Sequence, residues 1–264
     1  MNLELKGKKA IVTGGSRGIG KSVALSLASE GVDIGICSRS TESLSATASE
    51  IAQQTGKNVF FSAADTTDTE SVESFINSAA TELGGIDILV NNAAAPGGLV
   101  MGPLESANPD ELLSDIDTKV VGYLRAAKIV APYMKQQGWG RIINIGGLAA
   151  RSAGAFSGMR NLALTHFTKT LSNELGPHGI TVNIIHPGAT RTERTGPMQK
   201  SQAREQDLTM EEVERKAAAG IDIRRLVESE EIAYLTTFLA SPKASAITGE
   251  AIAAGGGVGS AVFQ

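Results

Sequence analysis

The sequence predicts a single-domain, doubly wound parallel α/β sheet with helices on both faces. Three observations carry this expectation. Short apolar runs alternate with longer amphipathic stretches along the chain. The runs are hydrophobic throughout rather than at every second residue, the pattern of strands covered on both sides. A glycine-rich turn, Thr13 to Gly20, links the first run to the first amphipathic stretch. No repeat, linker or low-complexity tract divides the 264 residues, so one domain over 1–264 is expected.

Taken in order, Lys9 to Val12 reads as a short β-branched strand, followed by helix near 20–30 with Gly31 as its stop. Residues 32–37 read as strand, 42–55 as helix ending at Gly56, and 58–63 as strand. Asp68 is the expected N-cap of a helix running to Leu83, closed by Gly84 and Gly85. Residues 86–90 follow as strand. Asn108, Pro109 and Glu111 form a helix-start signal, predicting one long helix to about residue 135. Strand is expected at 141–145, helix at 156–175 and strand at 180–185. Ser229 is the expected cap of a further helix, and 250–254 a last strand. The charged stretch 193–226 breaks this rhythm and carries a capping box, Thr209 to Glu212. It reads either as a solvated surface helix or as a substrate loop and lid.

Composition narrows the function. Lys and Arg number 24 against 28 Asp and Glu, a net charge of −4 without the basic footprint of nucleic-acid binding. Cys37 is the only cysteine, which excludes an intramolecular disulfide and a multi-cysteine zinc cage. No metal site is expected from the three histidines, His166, His178 and His186. No window approaches the roughly 20 apolar residues of a membrane span, and no signal peptide is visible, so the cytoplasm is expected.

In the turn Thr13-Gly14-Gly15-Ser16-Arg17-Gly18-Ile19-Gly20, glycine lets the backbone approach a ligand without a Cβ clash. Free N–H groups at the start of the following helix, aided by its dipole, then offer a diphosphate site. The second strand ends at Cys37-Ser38-Arg39-Ser40. An acid at this end would hold a ribose 2′-hydroxyl, whereas an arginine accommodates a 2′-phosphate. Asp33 stands at the wrong end of the strand, Arg39 at the right one, and Arg17 in the turn is placed to close on the same phosphate. NADP(H) is therefore expected in preference to NAD(H).

With these residues in view, the chain resembles the short-chain dehydrogenase/reductase family over nearly its whole length. Thr13 to Gly20 matches the family's TGxxxGxG turn, and Asp65-Thr66 stands where the family places an acid near the adenine. Asn91-Asn92-Ala93-Ala94 is similar to its NNAG. Pro187-Gly188, followed by Thr190 and Thr192, resembles the turn whose threonine holds the nicotinamide carboxamide. Ile247-Thr248-Gly249 and Gly255-Gly256-Gly257 resemble its C-terminal signature. The resemblance implies a Rossmann-like fold and a dinucleotide held by Gly14, Ser16, Arg17, Gly18, Ile19, Gly20, Arg39, Asp65, Thr66, Asn91, Ala93, Pro187, Gly188, Thr190 and Thr192. It also implies a small-molecule substrate, and a homodimer or homotetramer built through the helices near 108–135 and 156–175.

The catalytic positions depart from the pattern. The family uses a Ser, a Tyr-xxx-Lys pair and an Asn. Its tyrosine protonates the carbonyl oxygen, with a pKa lowered from ~10 by a lysine ammonium and the cofactor. Aligned on the flanking motifs, this chain has Gly147 for the serine, Ser157 for the tyrosine, Asn161 for the lysine and Lys119 for the asparagine. The chain is therefore expected to be an atypical member lacking the Ser/Tyr/Lys set. The resemblance places Lys119 and Asn161 opposite one another. One reading is that the ammonium has crossed between helices and still supplies charge; the other is drift, with Lys119 facing solvent. Ser157 is a weak acid in place of the phenol, and Tyr123, four residues after Lys119, is either a relocated acid or a packing residue. Arg151 and Ser152 lie in a shortened loop near the expected substrate. Two functions follow: an NADP(H)-dependent oxidoreductase of a small carbonyl or alcohol with an atypical proton route, or a catalytically silent NADP(H)-binding sensor, scaffold or partner subunit.

Overall fold

The computed structural model describes residues 1–95, 100 and 102–259. Its first half alternates strand and helix: β1 Lys9–Thr13, α1 Gly18–Ser29, β2 Asp33–Ser38, α2 Thr41–Thr55, β3 Val59–Ala63, α3 Thr69–Leu83 and β4 Ile88–Asn91. The second half continues with α4 Pro109–Ile116, α5 Gly122–Gln137, β5 Gly140–Ile145, α6 Gly158–Leu175 and β6 Ile180–Pro187. A short pair follows, β7 Thr190–Arg191 and β8 Val227–Glu228, with α7 Thr195–Gln206 and α8 Met210–Ala218 between its strands. Helix α9 Ser229–Ala240 and strand β9 Ala251–Ala254 complete the main layers.

Seven strands form one sheet in the order β3-β2-β1-β4-β5-β6-β9. Each neighbouring pair is parallel. Alternate strand residues feed two cores, one on each face. Val12, Ile34, Ile36, Val90 and Ile143 pack with Val23 and Leu27 of α1 and with Ile232 of α9. Their neighbours Ile11, Leu89, Ile142 and Val182 pack with Phe75 and Ile76 of α3 and Val130 of α5. This two-sided burial is why the strands read as continuous apolar runs. The chain crosses from one half of the sheet to the other between β1 and β4, which leaves a crevice at their carboxyl ends.

The helix starts follow local capping chemistry. Asp68 accepts from the backbone N–H groups of Glu70 and Ser71, and Asn108 from that of Asp110. In the charged stretch, Thr209 Oγ1 accepts from Glu212 N–H at 3.2 Å while Glu212 accepts from Thr209 N–H at 2.9 Å, the expected capping box. The expected cap at Ser229 moves by one residue. Glu228 precedes the helix and its N–H donates to Glu231 at 2.9 Å, while the Ser229 hydroxyl pairs with Ser22 of α1 at 2.8 Å.

The single long helix expected over 108–135 is interrupted. Between α4 and α5 the residues Asp117–Val121 form a π turn. The extra residue unseats carbonyls from the helical ladder, and a partner from outside takes one of them: the Thr66 hydroxyl donates to Thr118 O at 3.1 Å. Gly122 lets α5 press on that threonine, since a Cβ there would stand 2.9 Å from Thr66 Cβ. The π turn carries Lys119. The helix expected from 156 begins at Gly158, and the Ser157 hydroxyl before it is engaged with the backbone of Val100 rather than capping α6.

Ile36 connects this core to the crevice. It is fully buried, and a Cβ at Gly15 would lie 2.8 Å from its Cβ, so the glycine turn rests directly on it. Ile36→Ala is expected to destabilise the fold by about 2–5 kcal/mol, read as a lower urea midpoint with an unchanged slope.

Candidate functional site

The turn after β1 is held by close contacts that only glycine permits. A Cβ at Gly14, where φ is +65°, would meet Ala93 Cα and Asn92 Nδ2 at 2.9 Å. A Cβ at Gly20 would meet the Gly14 carbonyl oxygen at 2.3 Å. Asn92 straps the turn to β4: its N–H donates to Thr13 Oγ1, and its amide donates to the carbonyls of Thr13 and Gly14 at 3.1 and 3.0 Å. The turn therefore delivers its backbone to the start of α1. That helix has no side-chain cap of its own and no acid in its first turn. Its Gly18 N–H donates to the carboxylate of Glu193 at 3.1 Å.

One cleft of about 1680 Å³ runs from this turn across the carboxyl ends of the strands. It exceeds the roughly 300–1,000 Å³ of single small-ligand pockets. Gly14, Ser16, Arg17, Gly18 and Ile19 line its middle. One end is lined by Arg39, Ser40, Ser43, Asp65 and Thr66. The Thr67 N–H bond above all, helped by the Thr67 hydroxyl and the charges of Arg39 and Arg125, holds the Asp65 carboxyl below the usual carboxylate range against the opposing effect of burial. Cys37 also borders this end, and burial pushes its thiol up to about 12, so it stays neutral.

The other end is lined by Ala93, Gly146, Gly147, Arg160, Asn161, Pro187, Gly188, Thr190 and Thr192, with Arg151 and Ser152 at its margin. Gly188 packs on the Gly255 backbone, where a Cβ would lie 2.7 Å away. The Thr190 hydroxyl is spent on the Gly188 carbonyl at 3.0 Å.

Behind this end, the π turn aims Lys119 inward. Its Nζ donates to Gly146 O at 2.8 Å and to Asn161 Oδ1 at 2.9 Å, and the residue is buried rather than facing solvent. Burial, reinforced by the Arg160 charge and opposed by Asp115, lowers its pKa to about 7. The Lys119 bond settles which way the Asn161 amide faces: oxygen to the lysine, nitrogen against Gly147. His186 supports the same residues. Its Nδ1 accepts from Gly147 N–H and its Nε2 lies 3.0 Å from the Thr165 hydroxyl, which donates to Asn161 O. Burial and the nearby Arg151 and Lys119 charges lower His186 to about 4, so it acts as a neutral strut.

Four expected site residues stand outside the cleft lining. Gly20 and Lys119 act from behind it, as described. Asn91 is fully buried and donates to Asn144 Oδ1 at 3.0 Å, bracing β4 to β5. Ser157 is also buried, its hydroxyl 2.9 Å from Val100 N and 3.3 Å from Val100 O. None of the chain's three tyrosines lines the cleft. Tyr123 is a core residue donating to Ile145 O at 3.0 Å, and burial raises its pKa, the opposite of what an acid needs. Tyr133 pairs with Asn77, and Tyr234 is exposed on α9. Asp115 and Arg160 form a buried ion pair beside Lys119, and Arg160 also donates to Ala95 O at 3.2 Å. This pair, the Asn92 strap and the Glu193 contact join residues distant in sequence, and only Asn92 carried a motif signal. Among the described residues no group of three or more His, Cys, Asp or Glu is placed to hold a metal. No helix among them is long and apolar enough to cross a membrane.

Comparison with known proteins agrees with this fold. The family model described as enoyl-(acyl carrier protein) reductase matches residues 14–259. The chain is 34% identical to the NADPH-dependent reductase BacG of Bacillus subtilis over 254 residues, covering 95% of this chain and 97% of that one. It is 36% identical to the 3-oxoacyl-[acyl-carrier-protein] reductase FabG of Vibrio cholerae over 264 residues, covering 98% and 99%. Its structure is similar to L-sorbose reductase from Gluconobacter frateurii, complexed with NADPH and L-sorbose, with a TM-score of 0.92, 28% identity and 98% of each chain covered. With matches of this extent in both sequence and structure, the chain belongs to the short-chain dehydrogenase/reductase family.

Proposed function

We propose that this protein is an NADP(H)-dependent oxidoreductase that interconverts a small carbonyl compound and its alcohol at an atypical site lacking the family's Ser/Tyr/Lys set. One observation carries the reading: a single cleft joins the glycine turn and its arginines to an asparagine amide braced by a buried lysine. The relatives named as NADPH-dependent reductases support the choice of cofactor.

The chain's groups fit that cofactor. Close backbone approach at Gly14 and Gly20 leaves room for a diphosphate against Ser16 to Ile19 at the start of α1. Arg17 and Arg39 suit a 2′-phosphate, and Asp65 with Thr66 the adenosine end. Ala93, Pro187, Gly188, Thr190 and Thr192 line the nicotinamide end, with Asn91 bracing β4 beneath. When bound, the reduced nicotinamide supplies hydride.

The chain's own contribution is to stabilise the oxygen on which charge develops. Asn161 turns its amide N–H toward that oxygen, an oxyanion-hole donor worth ~10²–10³ in rate. Lys119 is a positioning residue: it fixes the amide and places a proton, available near neutral pH, behind it. Ser157 holds Val100 rather than the substrate. With no phenol in reach, the proton for the product comes from water. The segment 193–226, whose two helices lie between the strands of the β7–β8 pair, serves as the substrate lid of the single 1–264 domain. The exposed Leu113, Leu124, Met159 and Leu162 of α4, α5 and α6 give these helices an apolar face suited to a homodimer or homotetramer. The lone buried thiol of Cys37 suits the reducing cytoplasm.

The test is NADPH oxidation with a panel of reactive ketones and quinones. Turnover with at least one supports the enzyme; tight NADPH binding with no turnover on any favours the silent reading. Arg39→Ala is expected to weaken NADPH about 10–100-fold in calorimetry and NADH far less, from loss of a charge-assisted bond. Asn161→Ala is expected to lower kcat about 10²–10³-fold, whereas Tyr123→Phe leaves it within a factor of about two. Lys119 has a further signature in stability. Unfolded, it titrates at 10.5; folded, at about 7. Between those values the unfolded chain holds the extra proton, so this residue makes the fold more stable as pH rises. Urea unfolding of the wild type minus Lys119→Met is expected to climb from pH 7 to pH 9; a flat difference would refute the shift.

A further inference from the structure

We infer that Glu193 is a built-in gate on the diphosphate site, and that cofactor entry displaces its carboxylate and swings α7. The inference rests on the cofactor reading above and adds to it a device carried by the chain itself.

Helix α1 opens without a side-chain cap of its own. Arg17, at the cap position, makes no side-chain cap, and the first turn holds no acid. Such an end attracts an anion. The anion in place is the Glu193 carboxylate, 175 residues away in sequence, which accepts the Gly18 N–H at 3.1 Å. That N–H belongs to the same turn and cleft that would receive the diphosphate. A carboxylate and a diphosphate are both anions and both need this donor. One must leave before the other arrives.

The carboxylate does not leave alone. Residues 192–195 form a closed turn: Thr192 N–H donates to Thr195 Oγ1, and Thr195 N–H to Thr192 O, both at 2.9 Å. This turn leads directly into α7, and Thr192 touches the Gly18 side of the glycine turn, its Cγ2 3.5 Å from where a Gly18 Cβ would be. On the other side of the turn the chain is fixed. Arg191 binds both Glu214 and Glu228, and β7 pairs with β8. The pivot therefore falls between Arg191 and Thr192. Helix α7 is suited to move, because Gln199 is its only buried residue and the Gln199 amide nitrogen has no partner among the described residues.

The test compares wild type with Glu193→Gln, which keeps the side-chain shape but removes the charge, and with Glu193→Ala. NADPH is titrated by calorimetry, and adenosine 2′-monophosphate serves as a probe that reaches the Arg39 end but carries no diphosphate. Both variants are expected to bind NADPH about three- to tenfold more tightly, with binding of adenosine 2′-monophosphate unchanged. Amide hydrogen exchange over 195–206 in the cofactor-free variants is expected to match that of NADPH-bound wild type. Unchanged or weaker NADPH binding in both variants overturns the gate and leaves the cofactor reading standing. Equal tightening of NADPH and adenosine 2′-monophosphate also overturns it, since the effect would then be general electrostatics. Failure of every protein to bind NADPH overturns the cofactor reading and the gate together.

Discussion

The site depends on how closely the first turn lies against the fourth strand. Asn92 supplies the bond, donating its amide to two successive carbonyls of the turn while its backbone N–H reaches Thr13. The glycines supply the space, at distances no Cβ could share. Both halves of the sheet meet there, because β1 and β4 are neighbours at the point where strand order reverses. Whatever sits at the helix N-terminus is thereby placed in register with β5 and β6, whose ends carry Gly146, Gly147, His186 and Pro187. Distances at the far end of the cleft inherit their precision from this contact.

The π turn extends the same logic to the reactive end. One surplus residue in the helix rotates Lys119 off the regular helical path and into the protein, where it meets Asn161 across the gap between α5 and α6. A buried amine is costly unless its donors are satisfied. Here two acceptors, a carbonyl and an amide oxygen, satisfy it without a direct acid partner, and the charge of Asp115 is taken up by Arg160. Burial therefore brings the lysine down to about 7, where it changes charge in the pH range in which cells work.

How far the sequence was legible follows from how local each cause is. The strands declared themselves because burial on both faces leaves no polar alternation, as in Arg141-Ile142-Ile143-Asn144-Ile145 and in 180–185. Asp68, Asn108 and Thr209 were readable as caps because a cap needs only its next three residues. The glycine turn was readable for the same reason. The π turn was not, since its stabilising hydroxyl comes from Thr66, 52 residues earlier. Ser229 missed its cap by one residue because α1 claims its hydroxyl. The meeting of Lys119 and Asn161 was legible only through family resemblance, and the placement of Ser157 against Val100 was not legible at all, because a hydroxyl's partner is chosen by tertiary packing.

That last contact bears on which side chains position 157 can hold. Ser157 is buried, its hydroxyl set against the backbone N–H and carbonyl of Val100. A phenol at this position would have to expel Val100 and shift the start of α6 before its oxygen could reach a substrate. A larger side chain at 157 therefore requires the contact with Val100 to be rebuilt. The hydroxyl thus works as masonry, tethering residue 100 to the start of α6.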